Sequence, residues 1–250
     1  MPAVHPSLPR RHRSEVSIID SKETAAAIIP IRRGCPSATL TIAGRSVLDG
    51  TIRALRAVPS IGPIALALEG IDRGACLSVV ERPEDLELLV TETLPSRWLA
   101  IQSALELVGD ARFVVVHEPD RPLISAAWLS SVLQRAEGFE AAMTAVPAHD
   151  TIKRVAGTQI VGTIPRETLH ISQTPWIFRR EVLARAVRQA IAGGWDVRHE
   201  LDLARRAGIR MQMIEGHRFN QPIASPTDAR YAEITRRLQG AILGTPLATS

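Results

Sequence analysis

Four short runs with almost no charged or strongly polar side chains punctuate the chain: 24–30 (TAAAIIP), 61–68 (IGPIALAL), 113–117 (FVVVH) and 141–147 (AAMTAVP). A strand that is apolar on both sides can face water on neither, so each run predicts a strand covered above and below. The stretches between them carry a period of 3.6 residues instead. Residues 46–58 set Val47, Leu48, Ile52, Leu55 and Val58 at helical spacing. Residues 95–108 predict a second helix with Pro95 in its first turn. Residues 125–136 predict a third, with Ser125 as its N-cap. Strands alternating with helices predict an open, mostly parallel α/β sheet with helices on both faces. Ligands of such sheets bind beyond the carboxyl ends of the strands. The loops after Pro30, Leu68, His117 and Pro147 are therefore the places to look for chemistry.

The alternation breaks at Asp150. Residues 151–155 and 159–164 have strand character around Ala156, Gly157 and Thr158, which predicts a hairpin inserted into the α/β chain. It has too few large apolar residues for a core of its own, and a second subunit is the natural surface for it to lie against. Helices follow at 181–192 and 200–208, the latter stopped by Gly208. A late strand at 211–214 and a closing helix at 226–238, capped by Ser225, complete the pattern. The expected organisation is a flexible tail at 1–22, one domain at 23–240 with the arm at about 149–170, and a loose tail at 241–250.

Composition narrows the functional classes. No stretch reaches the roughly 18 apolar residues of a membrane span, and the first residues lack the apolar region of a secretory signal. Cys35 and Cys76 lie far apart in the 250 residues, which excludes a disulfide framework or a cysteine-rich zinc module. A reducing, cytoplasmic setting is expected. The net charge is +4, yet of 30 lysines and arginines only Lys22 and Lys153 are lysines. Arginine enrichment of that kind reads as codon bias. The basic residues are scattered without interleaved aromatics, so nucleic acid is not an expected partner. A dinucleotide G-x-G-x-x-G and a hydrolase G-x-S-x-G are both absent from the sequence.

Four stretches together carry a resemblance: 114–122 (VVVHEPDRP), 146–154 (VPAHDTIKR), 172–178 (SQTPWIF) and 219–233 (FNQPIASPTDARYAE). In that order and at those intervals, from about Ala25 to Arg237, the chain resembles the 2-C-methyl-D-erythritol 4-phosphate cytidylyltransferases. These have an H-D-x-x-R-P strand end, D-T-x-K, Q-T-P-Q-x-F and a late N-I-K segment. The resemblance implies a Rossmann-like core with a protruding β-arm, through which subunits pair as a homodimer. It implies transfer of CMP from CTP to a phosphosugar alcohol in isoprenoid precursor synthesis, with Mg²⁺ and release of pyrophosphate.

Carried over residue by residue, the resemblance assigns substrate binding to Glu118, Arg121, Thr151, Arg166 and Thr174, with Glu118 also the candidate Mg²⁺ ligand. Arginine suits a phosphate because its planar fork donates two parallel hydrogen bonds. Plainer roles exist for each: a strand-end ion pair for Glu118 and Arg121, a solvated position for Arg166, and a turn or cap for the threonines. The nucleotide half is assigned to Pro30, Ile31, Gly34, Arg97 and Ala100. Arg32 and Arg33 are the catalytic candidates, standing in for the loop arginine and partly for its first lysine. This half departs from the family pattern. The P-A-A-G-x-G-x-R loop is shortened to one glycine, Ser37 stands where a lysine follows proline, and Pro222 matches the lysine of N-I-K. One lost donor to developing charge costs roughly 2.7–4 kcal/mol. Two readings follow: a divergent cytidylyltransferase, or a noncatalytic homologue that keeps the fold and dimer and binds a phosphorylated ligand or a partner.

Overall fold

The structure, a computed structural model, describes residues 25–35 and 39–242. Both expected tails fall mostly outside that range, as does Ser37. β1 (Ala25–Arg32), β4 (Ile61–Glu69), β6 (Phe113–Val116) and β7 (Ala141–Pro147) are the four apolar runs. With β5 (Leu88–Val90), β10 (His170–Arg179) and β11 (Met211–Glu215) they form one seven-stranded sheet of order β11-β7-β10-β6-β1-β4-β5. β10 runs antiparallel to both its neighbours, β6 and β7. The remaining pairings are parallel. The α/β class and the two-sided covering therefore hold.

Two cores sandwich the sheet, and the strand period of two sorts side chains between them. From β1, Ala25, Ala27, Ile29 and Ile31 enter the first core, with Leu48, Ile52 and Leu55 of α1 (Val47–Arg56). α4 (Ala126–Ala136) closes the same side with Leu129, Val132 and Leu133. Ala26 and Ile28 enter the second core. There they meet α3 (Arg97–Leu107), α5 (Arg180–Ala192) and α6 (Glu200–Arg206).

Serine caps fix where the helices begin. The hydroxyls of Ser46, Ser96 and Ser125 accept the amides of Asp49, Leu99 and Trp128 at the starts of α1, α3 and α4. Pro95 thus lies ahead of the Ser96 cap rather than in the first turn. The short α2 (Arg73–Leu77) links β4 to β5, and a small ribbon of β2 (Thr41–Ile42) and β3 (Arg45–Ser46) precedes α1. The closing helix α7 (Pro226–Ile242) runs beyond the expected 238, with Ser225 accepting the Asp228 amide. Among the described residues no helix is long and apolar enough to cross a membrane.

The arm is a two-stranded hairpin, β8 (Ile152–Ala156) on β9 (Gln159–Ile164), whose strands pair, among the described residues, only with each other. Its base is closed by the Ala148 amide on the Leu169 carbonyl, 3.0 Å. Val155, Ile160 and Val161 are exposed along it.

Candidate active site

A cavity of about 1000 Å³ opens at the carboxyl ends of β1, β4 and β6, between the N-termini of α3 and α6. β10 reaches it because that strand is antiparallel. Trp176 pairs with Val116, so the residues before it lie beyond the end of β6. That placement brings Thr174 onto the turn that follows β6.

His117 organises the turn. It is fully buried, and its Nε2 donates to the Arg121 carbonyl at 3.0 Å, since a carbonyl can only accept. Nδ1 is then the acceptor for the Thr174 hydroxyl at 3.1 Å. The same hydroxyl oxygen accepts the Glu118 amide at 3.1 Å. Burial pushes the ring's pKa down to about 4, so it is neutral near pH 7. His117 therefore shapes the loop and is satisfied within the fold.

Arg97, the first residue of α3, sits between two carboxylates. Its Nη2 donates to Glu118 at 2.8 Å and to Glu200 at 2.9 Å, and its Nε donates to Glu200 at 3.1 Å. Burial opposes the charge, but Glu200 and then Glu118 outweigh it and hold the guanidinium above its ordinary range. Burial pushes the fully buried Glu200 carboxyl up, while Arg97 pulls it down.

Arg121 donates through Nη1 to the Asn220 carbonyl at 2.6 Å, and the Asn220 amide donates to the Thr174 carbonyl at 2.6 Å. These bonds tie the turn after β6 to β10 and to the segment before α7. Arg121 Nε is buried without a hydrogen-bond partner, as are Asp120 Oδ1, Ser172 Oγ and Trp176 Nε1, and all four residues line the cavity. Burial pushes the Asp120 carboxyl up, with Arg121 opposing it most strongly. Native folds leave few buried polar atoms unpaired, so four of them in residues that line one cavity call for a polar ligand or water there.

The expected residues divide. Pro30, Arg32, Arg97, Glu118, Arg121 and Thr174 line the cavity together. Arg33 does not, because its Nε donates to the Gly70 carbonyl at 2.7 Å and draws it toward the loop after β4. Ile31 and Ala100 are buried in the first and second cores, Ile31 because the strand alternates and Ala100 because it lies on the inner face of α3. Gly34 has φ +75° in the turn closed by the Cys35 amide on the Arg32 carbonyl, and it is not part of the wall. Thr151 and Arg166 belong to the arm and also lie off the wall, with Arg166 donating to the His149 carbonyl. Sequence reading did not assign Glu200, Trp176 or Asn220 to the site. For Trp176 and Asn220 there was a signal, since they fall within the 172–178 and 219–233 stretches that carry the resemblance.

The model of the family described as IspD, 2-C-methyl-D-erythritol 4-phosphate cytidylyltransferase, matches residues 28–237. The chain belongs to this family. A cytidylyltransferase of that name from Symbiobacterium thermophilum is 35% identical over 198 residues, covering 78% of this chain and 82% of the relative. One from Acidobacterium capsulatum is 36% identical over 205 residues, covering 79% and 85%. The crystal structure of the cytidylyltransferase from Thermus thermophilus superposes with a TM-score of 0.70 at 27% identity, over 84% of this chain and 98% of that one. The cytidylyltransferase family thus accounts for the fold over nearly the whole described range.

Proposed function

We propose that this chain transfers a cytidylyl group from CTP to the phosphate of a phosphorylated sugar alcohol, with release of pyrophosphate, in isoprenoid precursor synthesis. The observation that carries the reading is the meeting of Glu118 and Arg121, from the 114–122 stretch, with Thr174, from the 172–178 stretch, around one cavity that Arg32 and Arg97 also line.

The chemistry asks little of a base. A phosphate monoester is largely dianionic near neutral pH, its second pKa being about 6. The protein must hold two anions in line and answer charge that builds on the transferring phosphate. Arg121 suits the acceptor phosphate: one nitrogen is fixed on Asn220, and Nε is buried without a partner. Arg32, exposed at the end of β1, suits the triphosphate. Arg97, fixed by Glu200, sets where Glu118 lies.

Glu118 gives one carboxylate oxygen to Arg97, and no hydrogen bond among the described residues falls on the other. Magnesium takes one or two protein carboxylates and completes its shell with substrate phosphates and water. Glu118 thus fits an ion that arrives with the triphosphate and neutralises its charge when bound. The exposed Val155, Ile160 and Val161 fit pairing of two copies through the arm. The reduced thiols Cys35 and Cys76 fit a cytoplasmic setting.

A second reading, a noncatalytic phosphate-binding homologue, is favoured by Pro222 at the position of a family lysine. A pyrophosphate-release assay with CTP, magnesium and methylerythritol phosphate separates the two. Steady release that is abolished in Arg121→Ala supports transfer. Binding of the sugar phosphate with no release leaves only the second reading.

A further inference from the structure

One carboxylate on the cavity wall is used by neither the fold nor the transfer chemistry. Asp120 follows Pro119 on the turn after β6, and that turn is pinned at three points. Thr51 Oγ1 donates to the Pro119 carbonyl at 2.9 Å, the Ile223 amide donates to the Asp120 carbonyl at 2.8 Å, and His117 holds the Arg121 carbonyl. Asp120 Oδ1 is buried without a partner in a residue that lines the cavity. A buried acceptor left unpaired is costly, and a hydrogen bond to a charged group recovers more than a neutral one does.

Other unpaired atoms, in residues that line the same cavity, describe the ligand. Arg121 Nε and Trp176 Nε1 donate, the Ser172 hydroxyl can also donate, and all three atoms are buried. Asp120 Oδ1, when ionised, only accepts. The complement of three donors and one acceptor is a molecule rich in oxygen acceptors that also offers a single O–H donor. An alkyl phosphate with a free hydroxyl is such a molecule, and an alkyl phosphate without one is not.

We propose that Asp120 accepts a hydrogen bond from a hydroxyl of the phosphorylated acceptor and so sets the site's preference for a polyol phosphate over its deoxy counterpart. This rests on the transferase reading for the identity of the site, but it is tested by binding alone. A site built to hydrogen-bond a ligand hydroxyl discriminates against the analogue lacking it, because the protein group is then left unpaired.

The experiment is calorimetric titration of the whole chain with erythritol 4-phosphate, butyl phosphate and inorganic phosphate, for the wild type, Asp120→Ala and Asp120→Asn. In the wild type erythritol phosphate binds tighter than butyl phosphate, which lacks all its hydroxyls, and the Asp120 bond supplies about 10- to 150-fold of that preference, the span of one hydrogen bond to a charged group. In Asp120→Ala the ratio falls by about that 10- to 150-fold factor, while butyl phosphate and inorganic phosphate bind at least as well as before. Asp120→Asn keeps the size and one acceptor oxygen, and its ratio falls between the two. It serves as the test if the alanine variant does not fold.

An unchanged ratio in a folded variant overturns the proposal, even if pyrophosphate release continues. Failure of the transferase reading looks different: the ratio responds to Asp120 but no release is seen with any acceptor. A titration in which Asp120→Asn shifts the magnesium requirement and leaves the ratio alone makes Asp120 a metal ligand, and that also overturns the proposal.

Discussion

Removing Glu200 isolates the cost of the charge cluster under the cavity. Its carboxylate is fully buried and makes two of the three charge-assisted bonds of Arg97, at 2.9 and 3.1 Å. Arg97 itself is 13% exposed, so Glu200→Ala leaves a guanidinium largely out of water with Glu118 alone. Truncating one partner of a buried pair costs about 3–5 kcal/mol, against 0–1 kcal/mol for a surface pair. For a domain of this size each kcal/mol lowers the melting temperature by roughly 2–4 °C, so the variant should melt about 6–20 °C lower. Urea unfolding with an unchanged denaturant slope measures the loss directly. The double variant Arg97→Met/Glu200→Leu removes both charges and keeps the volume, and it should recover most of the stability lost by Glu200→Ala. A loss under about 1 kcal/mol in Glu200→Ala would refute the reasoning, since it would mean that water replaces Glu200 at no cost.

Three further outcomes follow from the same geometry. The His117 ring has a folded pKa lowered from 6.5 to about 4, so the unfolded chain binds its proton first; stability is complete above pH 6.5 and is lost as pH falls toward 4. At 1.36 kcal/mol per pH unit the loss is about 3 kcal/mol, and urea midpoints of the wild type and His117→Gln across pH 7 to 4 will reveal the difference. Thr174→Val leaves His117 Nδ1 and the Glu118 amide unpaired in a buried setting, and chemical denaturation should show a loss of about 1–3 kcal/mol. Gly216→Ala brings a Cβ to 2.4 Å from Gln173 Oε1 and 3.0 Å from the Ala145 backbone. Gln173 must then release the His217 amide, and thermal melting should report a loss of about 1–3 kcal/mol.

What the sequence made legible were the strands whose environment is uniform. β1, β4, β6 and β7 are apolar along their length because helices cover both faces, and no other element type explains such short runs. β10 escaped that logic. Its first residues, His170 and Ile171, are exposed, and Pro175 argues against an interior strand. The proline is tolerated because it falls in the register shift between Gln173 and Trp176, where no ladder bond to β7 is required of it. β5, three half-buried residues, carries no pattern long enough to read. The site was legible where one motif supplies neighbours, as in 117–121. It was not legible where partners meet across the fold: Arg97 and Glu200 are 103 residues apart, and nothing local to either announces the other. Adjacency also misled. Arg32 and Arg33 look equivalent in sequence, yet one lines the cavity and the other bonds to the loop after β4.

The guanidiniums on the cavity wall are not interchangeable, and this bears on how the site would meet two anions. Preorganised donors stabilise charge without a cost of reorientation at the moment of reaction. Arg121 meets that condition, since Nη1 is already fixed on the Asn220 carbonyl while Nε waits unpaired and buried. Arg97 is as rigid but is committed to Glu118 and Glu200, so a phosphate must compete with a carboxylate for it. Arg32 and Arg198 are exposed and must be ordered by the ligand, at about 0.5–1.5 kcal/mol per immobilised side chain. On the proposed reading the wall is therefore prepared for an acceptor's phosphate and unprepared for a triphosphate. Charge carried in with the nucleotide must do what ordered side chains do for the acceptor, and nucleotide affinity should depend on divalent cation far more steeply than acceptor affinity does.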